Sequence, residues 1–165
     1  MEVFATRPEY DPSHLTDGYD WPSLGPARVI DVGGAQGHVA TELAKRFDNL
    51  DILIQDMDKV VENAGARIPV ELRGKAKFMA HDIFAPQPPG ARIIIQDTCM
   101  PEPGVVAWWK EKYLRAEDLN MGAIFNSHER TVDEWGALLA SADSRFSLQR
   151  VIEPKLSALG IIEVM

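Results

Sequence analysis

Four short apolar runs in this chain each lead to an acidic residue, and that pattern restricts the folds open to it more than any other feature. Arg28–Val32 carries Asp31 and runs into a glycine cluster. Asp51–Gln55 (DILIQ) is closed by Asp56, Ala76–Ala80 runs into His81 and Asp82, and Ala91–Gln96 (ARIIIQ) ends at Asp97. Runs of this length and composition read as buried strands. Between the first two lies a segment of helical spacing over Gln36–Phe47, with Val39, Leu43 and Phe47 recurring and Ala40 and Ala44 beside them. Lys59–Arg67 reads as a second helix. Strand–helix alternation of this kind predicts an α/β fold with a mostly parallel sheet. In such sheets ligands bind beyond the carboxyl ends of the strands, which is where the four acids stand.

The remaining segments complete that picture. Val105–Phe125 reads as a long amphipathic helix with Val105, Trp109, Tyr113 and Ala116 on one face. Thr131 with Glu134 forms a capping box, followed by a stripe of Trp135, Leu138, Leu139 and Ala142. Phe146–Ile152 and Leu159–Val164, separated by Glu153–Ser157, predict a C-terminal antiparallel hairpin. Residues 1–26, with Pro8, Pro12, Pro22 and Pro26, read as an irregular lead-in with a short helical turn near Ser13–Leu15, and residues 27–165 as the folded domain.

Composition excludes several classes of function. A net charge of −8 argues against a nucleic-acid or anionic-membrane surface. Cys99 is the only cysteine, so neither an intramolecular disulfide nor a cysteine-rich zinc site can form, and no other metal-ligand spacing occurs. No apolar run approaches the ~18 residues of a membrane span, and Met1–Phe4 does not look like a signal peptide. A soluble, cytoplasmic protein is expected.

The loop after the first run carries the chemistry. Gly33, Gly34 and Gly37 allow a tight turn and let backbone N–H groups approach a ligand. The dinucleotide pattern G-x-G-x-x-G fails from Gly33, since Ala35 and His38 stand where the later glycines belong. The pattern D-x-G-x-G-x-G fits at Asp31, Gly33 and Gly37, with Ala35 replacing its middle glycine, and is that of S-adenosylmethionine (SAM) sites. An ordinary tight turn is the competing reading. Asp56 could accept hydrogen bonds from ribose hydroxyls, or cap the helix that follows. Asp82 could accept from an adenine amino group, or cap a turn. Met57 and Ile83, beside these two acids, complete the candidate cofactor set.

Histidine is the residue whose ordinary pKa suits a general base near neutrality. His14 lies in the lead-in, His38 could edge the cofactor, His81 flanks Asp82, and His128 precedes the capping box. Trp108, Trp109, Tyr113, Met121 and Phe125 crowd one predicted helix and read first as core. The sharper reading makes this group a wall of an aromatic-substrate pocket, with Asn120 and Asn126 as polar markers and Trp109, Asn120, Met121 and Phe125 as the candidate substrate contacts.

Taken together, Val29–Ala40 (VIDVGGAQGHVA), Ile52–Asp56 (ILIQD), Ala80–Phe84 (AHDIF), Ala91–Gly104 (ARIIIQDTCMPEPG) and Asn126–Leu138 (NSHERTVDEWGAL) resemble the C-terminal catalytic domain of the fungal SAM-dependent O-methyltransferases of secondary metabolism, relatives of the caffeate and flavonoid type. The resemblance implies a Rossmann-like class I methyltransferase fold. It puts Asp31, Gly33 and Gly37 around the amino-acid end of SAM, Asp56 on the ribose and Asp82 beside the adenine, with a small aromatic hydroxyl as acceptor.

Two departures matter. The family's N-terminal helical dimerisation domain has no counterpart in this stretch. A further strand and helix, which in the family bear the catalytic histidine between the AHDIF-like and ARIII-like motifs, have no room in Ala85–Gly90. The sheet is therefore expected to lack one strand–helix unit, with Ala91–Gln96 pairing directly on Arg28–Val32 or the gap covered in a homodimer or by a partner chain. His128, and after it His81, become the candidates for a substitute base. Two readings follow: an O-methyltransferase of impaired activity, and a non-methylating SAM-binding protein or repurposed catalyst on the same fold.

Overall fold

A computed structural model describes residues 7–62, 64–82 and 92–165. Ile83, Phe84, the Ala85–Gly90 stretch and Ala91 lie outside the described residues. The chain divides into two compact units. The first is Asp11–Gly90; the second joins Met1–Tyr10 to Ala91–Met165.

In the first unit, β1 (Ala27–Val32), β2 (Leu50–Asp56) and β3 (Ala76–Ala80) form a parallel sheet with β2 in the centre. Ile54 lies opposite Asp31 on one side and Phe78 on the other, so the three carboxyl ends are level. β2 buries Leu50, Ile52 and Ile54 by strand alternation, and α2 (His38–Arg46) covers them with Ala40, Leu43 and Ala44. The lead-in is more ordered than its prolines suggested. α1 (Ser13–Gly18) precedes a short 3-10 turn, Trp21–Leu24, and Leu15, Tyr19 and Trp21 are buried. The Trp21 indole N–H donates to the Leu15 carbonyl at 3.2 Å, and its ring lies 4.9 Å from that of Tyr19.

The helix expected over Lys59–Arg67 is not continuous. α3 spans only Asp58–Val61, and a 3-10 turn follows at Ala64–Arg67. Glu62 leaves helical geometry, and Gly65 costs a helix interior about 1 kcal/mol, so the segment breaks.

In the second unit, β6 (Gly160–Val164) is the central strand, antiparallel to β4 (Ile93–Asp97) and β5 (Leu148–Ile152). The predicted hairpin is present, with a register irregularity between Leu148 and Arg150. α5 (Val132–Ala142) begins at the predicted capping box, in which Thr131 Oγ1 accepts from Glu134 N–H and the Glu134 carboxylate accepts from Thr131 N–H. It packs Trp135 and Leu139 on Ile162 and Val164. Glu163, also buried, receives Arg92 at 2.9 Å and Arg150 at 2.5 Å. The Pro8–Tyr10 turn is fastened to this unit, with Ala158 N–H donating to the Glu9 carbonyl at 2.9 Å and Arg7 donating to the Tyr113 hydroxyl at 2.8 Å.

Two expectations fail here. α4 (Trp108–Phe125) is long, but Leu114 is its only buried residue. Trp108 and Trp109 are 75% and 65% exposed, with Leu119, Ile124 and Phe125 similar, so the aromatic helix is not core. Its apolar residues are spread around the helix rather than gathered in one stripe, which a window of apolar content does not reveal. Nor does the 91–96 run pair with β1: among the described residues β1 is hydrogen-bonded to β2, and β4 to β6. Antiparallel pairing with β6 satisfies one of the two backbone edges of β4 within its own unit. No helix among the described residues is long and apolar enough to cross a membrane.

Candidate functional site

The carboxyl ends of β1, β2 and β3 bring most of the predicted cofactor residues together in the first unit. The turn from β1 to α2 is held from below by the Gln55 carbonyl, which accepts from Gly33 N–H at 2.8 Å and Gly34 N–H at 3.4 Å. Gly37 N–H closes the turn on the Gly34 carbonyl at 2.7 Å. Gly33 and Gly37 have φ near +74° and +73°, a region that favours glycine. A Cβ on Gly34 would lie 2.6 Å from both Asp31 Oδ2 and Ile54 Cγ2, so the backbone there rests directly on the Asp31 carboxylate.

Ala35, where the motif has its middle glycine, is also left-handed, with φ +47°. Its N–H donates to Asp56 Oδ2 at 3.0 Å, while Asp56 Oδ1 accepts from Met57 N–H at 2.8 Å. Asp56 is 9% exposed. It does not act as the cap of α3, whose N-cap is Met57. Burial, and then the neighbouring Asp56 charge, push the Asp31 carboxyl above the usual aspartate range. Among the described residues neither acid has an ion-pair partner.

His81 joins the same end of the sheet, its N–H donating to the Asp56 carbonyl at 2.9 Å. Its ring Nε2 is buried without a hydrogen-bond partner among the described residues, a costly state that a polar ligand would relieve. Met57 and Asp82 are exposed beside these groups. Ile83 lies outside the described residues.

The predicted substrate and base residues belong to the second unit, apart from His81. Trp109 and Asn120 fall on one side of α4, while Met121 and Phe125, four apart, fall on another. They do not line one wall. His128 is exposed. Asn126, the other polar marker, is the left-handed C-cap of α4.

Near the end of β4 stands a second group of acids, of which sequence reasoning singled out Asp97 but passed over Asp118 and Glu129. Glu129 N–H donates to Asp118 Oδ1 at 2.7 Å, and Met100 N–H donates to the Arg130 carbonyl at 2.8 Å, so the 127–130 loop is stitched to the segment after β4. Burial, followed by Asp97 and Asp118, raises the Glu129 carboxyl. Cys99 is pushed up to about 11, first by burial and then by Glu153, Asp97 and Glu129. Asp97 at a strand end was the available signal. Glu129 had none, because its neighbours are distant in sequence.

Residues 24–101 match the model of the O-methyltransferase domain family. Aligned along nearly its whole length, the chain is 38% identical to O-methyltransferase PaMT of Phomopsis amygdali, covering 96% of this chain and 45% of that protein. It is 35% identical to the grayanic acid biosynthesis cluster O-methyltransferase of Cladonia grayi, covering 100% and 44%. The chain belongs to the O-methyltransferase family. It spans about half the length of the relatives it matches.

The family's fold is also recovered. An O-methyltransferase of neocarzinostatin biosynthesis, NcsB1, solved with S-adenosyl-L-homocysteine and 1,4-dihydroxy-2-naphthoic acid, superposes with a TM-score of 0.74 at 20% identity, over 94% of this chain and 53% of that one. This is the α/β class expected from sequence. The alignment to the Cladonia protein runs over 199 positions against a chain of 165, so that O-methyltransferase carries about 34 residues with no counterpart here.

Proposed function

We propose that the chain is a SAM-dependent O-methyltransferase acting on a small aromatic or polyketide-like hydroxyl of secondary metabolism, as a cytoplasmic protein working alone, as a homodimer or with a partner chain. The observation that carries this reading is the joining of Asp31, Asp56 and the glycine loop in one unit, with two close carboxylates and, among the described residues, no cation paired to either. Such a site suits a ligand that brings positive charge and hydroxyl groups of its own. SAM brings both, and His81 Nε2, without a hydrogen-bond partner among the described residues, adds a further polar group for it to meet.

SAM, when bound, supplies a methyl group on a sulfonium. The chain's own groups then have distinct tasks. The Gly33–Gly37 backbone and Asp31 receive the cationic amino-acid end. Asp56 has lone pairs left after its two backbone bonds, since a carboxylate offers about four acceptor sites, and these take the ribose hydroxyls. Asp82, with Met57 and Ile83, takes the adenine. Of the candidate acceptor contacts, Trp109 and Asn120 share one side of α4 and Met121 and Phe125 another, so one pair rather than all four would meet the acceptor. Holding acceptor and donor together supplies much of the rate in a transfer of this kind. Removing the phenolic proton falls to His128 or, second, His81. The residues present in the relatives and lacking here favour weak methylation of simple phenols by this chain alone.

Thermal melting with SAM or S-adenosylhomocysteine tests the cofactor reading. Ligand at ~100 times its Kd should stabilise by about 2.7 kcal/mol, and Asp56→Ala should abolish the shift. No shift in the parent protein overturns the reading. Mass spectrometry on candidate phenols tests catalysis. Where turnover is found, His128→Ala should reduce it ~10²–10⁴-fold, and turnover that survives both His128→Ala and His81→Ala rules out a histidine base.

A further inference from the structure

The alanine in the glycine loop has so far been only a departure from a motif. A left-handed backbone is disfavoured for any residue with a Cβ, yet Ala35 adopts it at φ +47° in the middle of the turn. The three glycine amides of the loop are bonded to backbone carbonyls, Gly33 and Gly34 to that of Gln55 and Gly37 to that of Gly34. Ala35 N–H instead donates to a side chain 21 residues away, Asp56 Oδ2, at 3.0 Å. The second oxygen of that carboxylate is fixed by Met57 N–H at 2.8 Å, and Asp56 is almost wholly buried, so it cannot swing aside freely.

We infer that Asp56 is a positioning residue for the loop: its carboxylate clamps Ala35 in the left-handed conformation that shapes the cofactor cradle. The alanine is tolerated at this position because the acid at the end of β2 holds it there. This rests on the cofactor reading above and extends it, since Asp56 then acts both on the ligand and, through Ala35, on the loop before any ligand arrives. Strained backbone of this sort persists only where its surroundings over-determine it, and a bond from backbone N–H to a buried carboxylate is among the stronger ones available.

Amide hydrogen exchange on the ligand-free protein tests the clamp directly. Asp56→Ala should speed exchange at the Ala35 amide by about tenfold or more, and Asp56→Asn, whose single acceptor oxygen can meet only one of the Ala35 and Met57 amides, should fall between Asp56→Ala and the parent. Calorimetric titration with S-adenosylhomocysteine supplies the second readout. Asp56→Ala should weaken binding several-fold more in the parent than in an Ala35→Gly background, because glycine reaches the left-handed region unaided. Unchanged exchange at Ala35 in Asp56→Ala, or equal affinity losses in the two backgrounds, overturns the inference. Should Asp56→Ala not fold, Asp56→Ser, whose hydroxyl is too short for the bond, takes its place. A parent protein that binds no S-adenosylhomocysteine sinks the cofactor reading, and the exchange measurement still decides the clamp.

Discussion

The two units treat buried carboxylates in opposite ways. Glu163, on the central strand of the antiparallel sheet, lies between Arg92 and Arg150, each within ion-pair distance. Asp31 and Asp56 stand at the carboxyl ends of the parallel sheet, near enough for the Asp56 charge to raise Asp31; backbone N–H groups meet Asp56, and neither acid has an ion pair among the described residues. A charge taken out of water needs compensation. In the second unit the fold provides it with fixed cations. In the first unit it is left partly unprovided, and a ligand of positive charge can complete it. Strain and uncompensated charge gather where binding is expected, whereas Glu163 serves the sheet.

The largest effect expected from this contrast is at Glu163. Glu163→Ala removes the carboxylate that Arg92 and Arg150 share, and because both arginines stay about half exposed it should cost about 2–3 kcal/mol rather than the loss of a fully buried pair, a fall of roughly 4–12 °C in Tm for a chain of this size. A fall no greater than that of a surface substitution would erase the distinction between the two kinds of acid. Next comes Gly34→Ala. Its Cβ would lie 2.6 Å from Asp31 Oδ2 and Ile54 Cγ2, and overpacking of this kind costs about 1–3 kcal/mol; chemical denaturation would measure it.

Asp31 gives the opposite sign. Its folded pKa is raised by burial and by Asp56, so the ionised form is the one the native state disfavours. That penalty is absent below the unfolded value of about 3.9 and grows as pH rises through the folded pKa. Asp31→Asn should therefore stabilise the protein at neutral pH, with the gain fading in acid, at the expense of SAM binding. A gain independent of pH, or a loss at pH 7, would place Asp31 with Glu163 rather than apart from it. The smallest effect is at Ala35. Ala35→Gly should raise stability by about 0.4–1 kcal/mol, since alanine at positive φ is strained, and urea melts can resolve a change of that size.

Much of this was legible in the sequence, for physical reasons that differ by region. β3 and the Thr131–Glu134 capping box follow from local rules, alternation and reciprocal hydrogen bonding, that need no knowledge of the rest of the chain. Gly33 and Gly37 were legible because a tight turn needs positive φ at fixed offsets, and the placing of Asp31 and Asp56 because strand–helix alternation puts both at the carboxyl ends of strands. The Ala35–Asp56 bond was not, since a side chain meeting a backbone amide across the sheet leaves no periodic trace. Nor was the cluster of Asp97, Asp118 and Glu129, which depends on where a loop returns. α4 failed for another reason. Pattern shows which residues are apolar, but not whether anything covers them.

That helix has a practical consequence for optical work on the protein. Of the four tryptophans, Trp21 is buried in the first unit and Trp135 in the second, while Trp108 and Trp109 stand in water on α4. Native emission should thus be a mixture of blue and red components, and acrylamide should quench the red one first. With Trp108 and Trp109 replaced by phenylalanine, each unit would retain a single indole. Adding Trp135→Phe would leave a spectrum that reports only the half of the chain that carries the glycine loop, and adding Trp21→Phe instead would leave one that reports only the other.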